Sequence, residues 1–83
     1  MREAVRDLAA RVRDRRRALS LTQQDLADLA GVSERFVRFV EQGKASVRLD
    51  ALAAVLDALG FELAVVTRSG GGETRVAADG HAP

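Results

Sequence analysis

Apolar positions recur at helical spacing in four stretches of the 83-residue chain and then switch once to alternation. Over residues 3–19, Val5, Leu8, Ala9, Val12 and Leu19 form a stripe at intervals of three, four and seven, which predicts a first helix. Leu26, Leu29 and Ala30 form a second stripe behind Thr22, an N-cap whose hydroxyl can accept from a first-turn N–H. Gly31 follows, where a left-handed residue usually stops a helix. The third helix, residues 33–42, has Ser33 as its cap, Glu34 in its first turn and Val37 and Val40 on its buried side. Gly43 closes it, and residues 43–47 form a loop. The fourth, residues 48–59, carries Leu49, Leu52, Val55, Leu56 and Leu59 and ends at Gly60. Arg48 is a poor N-cap for it, compensated in part by Asp50 in the first turn.

Residues 61–67 change period. Phe61, Leu63, Val65 and Thr67 point one way, and Glu62, Ala64, Val66 and Arg68 the other, which predicts one β-strand. No second segment has a convincing strand pattern, and a lone strand cannot satisfy its own backbone. The expected partner is the same strand of a second copy, with Phe61, Leu63 and Val65 as the dimerisation face; a hydrophobic tail packed on the helices is the alternative. Ala64 and Val66 would then meet solvent or a protein partner. Residues 69–83 are glycine-rich and polar, so the expected organisation is one domain over 1–68 and a disordered tail.

Charge sharpens this picture. The net charge of +1 conceals an asymmetry: residues 1–48 hold eleven Lys/Arg against seven Asp/Glu, residues 49–83 two against five. The basic half contains the paired short helices, as phosphate binding requires. There is no cysteine, and the one histidine, His81, lies in the tail, so a metal site, a cofactor and enzymatic chemistry are not expected. With no membrane-length apolar run and no signal peptide, a soluble cytoplasmic, nucleoid-associated protein is the expectation.

The chemistry concentrates in residues 21–44, LTQQDLADLAGVSERFVRFVEQGK. At about 100° per residue, Val37 and Val40 centre one side of the third helix. Arg35, Arg38, Phe39 and Gln42 fall opposite, with Glu34 at the edge, and arginine, glutamine and acid are what major-groove reading uses. Glu34 and Arg38, four apart, equally fit a surface bridge. The stretch resembles the helix-turn-helix of the lambdoid phage repressor and Cro proteins, the XRE family. Gln23 opens the unit, Ala27 is small where the second helix crosses, Gly31 makes the turn, and Leu26, Ala30, Val32, Val37 and Val40 fill the apolar slots. The resemblance implies an all-α, lambda-repressor-like bundle of four helices, plus the C-terminal strand paired across a homodimer. It implies a sequence-specific regulator of double-stranded DNA. Candidate DNA-binding residues are Gln23, Ser33, Glu34, Arg35, Arg38, Phe39, Gln42 and Lys44, with Gln23, Ser33 and Lys44 at phosphates. Gln23 alternatively completes the Thr22 cap. In similar repressors an Arg at position 16 pairs with a late Glu of the recognition helix, which implies a structural Arg16–Glu41 bridge.

The run GKASVRLDALAAVLDALGFEL narrows the resemblance to the HipB-type antitoxins, over roughly residues 8–68. Their likeness implies a homodimer on a palindromic operator, repression of its own operon and a HipA-like kinase toxin as partner. An XRE-type regulator without a toxin, or an interaction module that has lost DNA reading, is the alternative.

Overall fold

In a computed structural model, which describes residues 2–44, 46–67 and 72–76, the chain forms four helices and a two-stranded sheet. The helices are α1 (Arg2–Ala18), α2 (Gln23–Ala30), α3 (Glu34–Glu41) and α4 (Leu49–Ala58). Strand β1 (Leu63–Val66) follows, then β2 (Glu73–Val76). All four helices lie where the apolar spacing predicts them.

The core draws on every helix. Val12 of α1, Leu26 and Ala27 of α2, Val37 of α3 and Val55 of α4 are fully buried, joined by Val40, Leu52, Leu56 and Leu59. Burying each large aliphatic contributes about 1.5–3 kcal/mol relative to leaving it exposed. Helix α2 packs on both α3 and α4, while α1 packs on α3. Ala27, on the α2 helix that packs on both, has no accessible surface, so a larger side chain there has no room.

Three leucines of the predicted stripes are exposed: Leu19 at 42%, Leu29 at 64% and Leu49 at 65%. On α2 the buried direction is set by Leu26, Ala27 and Ala30, and Leu29 lies about 100° from its centre at ~100° per residue. Leu49 opens α4 one turn ahead of Leu52, its first buried position. Leu19 lies in the turn after α1, where Ser20 adopts φ 59.

The strand expectation needs a correction. Strand β1 does not lack a partner in its own chain: it pairs antiparallel with β2, in the register Leu63↔Val76, Ala64↔Arg75, Val65↔Thr74 and Val66↔Glu73. The Thr67 N–H donates to the Gly72 carbonyl at 3.0 Å, extending the ladder by one bond. Part of the predicted disordered tail is therefore a strand. ETRV, residues 73–76, is too short and polar to show alternation, yet its Thr and Val are good strand formers, and pairing with β1 satisfies its backbone. The remainder of that tail, 69–71 and 77–83 with His81, lies outside the described residues.

Candidate nucleic-acid interface

The α2–turn–α3 unit is fixed by local hydrogen bonds. Thr22 and Asp25 form a reciprocal cap: the Asp25 N–H donates to Thr22 Oγ1 at 2.9 Å, and the Thr22 N–H donates to Asp25 Oδ2 at 2.9 Å. Hydrogen bonds from Thr22, first from its backbone N–H and then from its side chain, hold the Asp25 carboxyl below its usual pKa. Gly31 ends α2 at φ 71, and its N–H donates to the Ala27 carbonyl. Nothing would lie within 4 Å of an added Cβ there, so the backbone angle alone selects glycine. Ser33 then caps α3, accepting from the Phe36 N–H at 3.0 Å.

Helix α3 is held from behind by a buried ion pair. Arg16 Nε donates to Glu41 Oε2 at 2.6 Å and Arg16 Nη2 to Glu41 Oε1 at 2.9 Å, while Arg16 Nη1 donates to the Leu21 carbonyl at 2.9 Å. Both residues are more than nine-tenths buried. The Glu41 hydrogen bond raises the Arg16 pKa above its usual value against the opposing effect of burial. The contact that the family resemblance implies between Arg16 and Glu41 is thus present.

That pair also holds Gln23. Its Nε2 donates to Glu41 Oε1 at 3.2 Å, so the residue opening α2 is linked to the residue ending α3. Gln23 therefore does not complete the Thr22 cap, which Asp25 completes. Sequence spacing gave no sign of this third partner, because Gln23 and Glu41 belong to different helices.

The outer face of α3 is polar and open. Arg35, Arg38, Phe39 and Gln42 are exposed, opposite buried Val37 and Val40. Arg38 is paired with Glu34 one turn back, which realises the local alternative for those two. Arg35 Cζ lies 5.3 Å from the centre of the Phe39 ring, and Lys44 Nζ lies 6.0 Å from it. The structure thus brings Arg35 and Lys44 to the Phe39 ring, joins Glu34 to Arg38, and leaves Gln42 exposed as the C-cap.

The three candidate dimerisation residues do not share one environment. Phe61 and Leu63 are half-buried and pack against the chain's own core, whereas Val65 is 63% exposed. Phe61 lies between Arg11 and Arg15, with ring-centre distances of 5.9 and 6.0 Å. Arg15 Nε also donates to the Leu59 carbonyl at 2.9 Å, closing the C-terminus of α4. The i, i+4 spacing of Arg11 and Arg15, which puts both on one face of α1, is the sequence signal for this contact.

Among the described residues there is no cluster of three or more His, Cys, Asp or Glu able to hold a metal ion, and no helix long and apolar enough to cross a membrane. Comparison with curated proteins finds no match. Residues 7–68 match the helix-turn-helix domain family, so the chain belongs to that family and carries a DNA-binding domain of the regulator type.

Proposed function

We propose that the protein is a sequence-specific transcriptional repressor of the XRE type, binding a palindromic operator as a homodimer and serving as the antitoxin of a HipBA-like module. The observation that carries the DNA-reading part is the α3 face: Arg35, Arg38, Phe39 and Gln42 are all exposed on a helix whose opposite side is locked into the core. Arg35 and Arg38 are assigned to guanine edges or adjacent phosphates, with Glu34 positioning Arg38 and able to accept from a cytosine amino group. Gln23, Ser33 and Lys44 are assigned to the phosphate backbone.

Two half-sites about one DNA turn apart, ~34 Å, call for a two-fold dimer. Exposed Val65 and Val66 on β1 support the hairpin as the joining element, each at more than half exposure. The antitoxin role, with a HipA-like kinase toxin, rests on the resemblance of the stretch from Gly43 to Leu63 to HipB-type antitoxins.

Selection of a binding sequence from random duplexes tests the DNA reading. Arg35→Ala or Arg38→Ala is expected to cost about 1–3 kcal/mol on the selected site and to relax one base position. Failure to select any sequence, or unchanged affinity of both variants, refutes it. A kinase-like reading frame beside this one, and co-purification of its product with this chain, tests the antitoxin role.

A further inference from the structure

We infer that Phe39 is a specificity-determining residue that recognises the C5-methyl group of a thymine in the major groove. The inference rests on the proposed reading of α3 as the helix that enters that groove. Phe39 is one of two phenylalanines on α3, and they part company. Phe36 is half-buried and packs against the core, whereas Phe39 stands on the opposite, polar side at 36% exposure. Unlike Phe36, it lies outside the core cluster and the residues packed against it. It is flanked by Arg35 at 5.3 Å and Lys44 at 6.0 Å from the ring centre, the spacing of cation–π contacts.

The two cations and the ring call for different partners. Arg35 and Lys44 complement phosphate oxygens or guanine acceptors. The ring cannot hydrogen-bond, and placing it against a base amide or carbonyl would leave that group unsatisfied. Among the edges presented in the major groove, the thymine C5-methyl is the apolar feature, and apolar contact with it is an established way of telling A·T from G·C. Cation–π contact also restrains the Arg35 guanidinium beside the ring, so one base step would meet an arginine and an adjacent apolar surface together.

The test alters the DNA first, so protein folding does not enter. After selection of an operator, each thymine in turn is replaced by deoxyuridine, which deletes only the methyl, and affinity is measured by fluorescence anisotropy at fixed salt. One thymine per half-site is expected to be sensitive, with binding weakened about fourfold per methyl removed. Phe39→Ala, checked for an unchanged melting temperature, is expected to bind the thymine and deoxyuridine sites equally, whatever its overall affinity. Phe39→Leu is expected to retain part of the discrimination. A purely structural role for Phe39 would lower affinity without abolishing methyl sensitivity. An operator in which no thymine responds, or a Phe39→Ala protein that still senses the methyl, overturns the inference while leaving the repressor reading intact. Failure to select any sequence overturns that reading, and this inference with it.

Discussion

Glu41→Ala should be the most destabilising single polar substitution in the domain. Glu41 accepts three hydrogen bonds, two from Arg16 and one from Gln23, and is 7% exposed. Its removal leaves the guanidinium of Arg16, a residue 9% exposed, with only the Leu21 carbonyl as partner. An unpaired buried charge of this kind costs about 3–5 kcal/mol. At about 0.05–0.15 kcal/mol per residue, a domain of this size has a total stability of the same order, so the variant is expected to lose a large part of it. In melting temperature that is a fall of about 12–40 °C, taking ~4–8 °C per kcal/mol for small domains. The matched control is Glu34→Ala, which breaks the exposed Glu34–Arg38 pair and should cost no more than about 0.5 kcal/mol. Urea unfolding followed by circular dichroism, for Glu41→Ala, Arg16→Ala and the double variant, gives the coupling directly. The double variant should cost far less than the sum of the singles, because removing Arg16 removes the orphaned charge. A Glu41→Ala loss below about 1 kcal/mol, or additive singles, would refute the reasoning.

Further outcomes are expected from the same geometry. Lys44→Ala should weaken specific and non-specific DNA binding alike and lower the salt slope by about one, read from titrations at several salt concentrations; a loss confined to one operator would place Lys44 at a base instead. Val65→Arg should leave the melting temperature close to wild type, because Val65 is 63% exposed, but should abolish the rise in dimer fraction that a two-half-site duplex produces in light scattering; an unchanged rise removes the hairpin from its proposed role. Asp25 has a lowered pKa, so its contribution is present above the unfolded value of about 3.9 and is lost as pH falls through the lower folded value. Melting temperatures below about pH 4 should therefore fall less steeply for Asp25→Asn than for wild type, and parallel acid limbs would exclude the contribution.

The helices were legible in the sequence because their signals are local and mutually consistent. Thr22, Gly31, Ser33 and Gly43 each act within one turn of themselves, and the observed cap and left-handed angles follow from residue type alone. The face of α3 was legible for the same reason, since Val37 and Val40 fix which side is buried. What escaped was set by contacts between distant residues. The Gln23–Glu41 bond spans 18 positions and Arg15–Leu59 spans 44. The second strand escaped because its evidence lies in β1: ETRV is too short and polar to show alternation by itself and gains its place by pairing. Ser20 at φ 59 escaped because serine does not advertise a left-handed turn as glycine does.

The arginines of α1 connect these observations. Arg16 reaches α3 through Glu41, and through Glu41 it restrains Gln23 at the start of α2. Arg15, the adjacent residue, closes α4 at Leu59, and together with Arg11 it flanks Phe61 where the chain leaves for the hairpin. One helix thereby fixes both the helix-turn-helix unit and the root of the sheet. The consequence bears on dimer geometry. With Phe61 and Leu63 already committed to the chain's own core, a second copy approaching that face of β1 would meet Val65 alone of the three alternate residues. An interface of that kind is narrower than one built on all three alternate residues, and its apolar contribution is smaller in proportion to the area buried. Dimerisation by the hairpin alone is therefore expected to be weak, with operator DNA supplying the remaining free energy by holding two copies on adjacent half-sites. The dimer fraction in light scattering should rise sharply when a two-half-site duplex is added, and it should not rise with a single half-site.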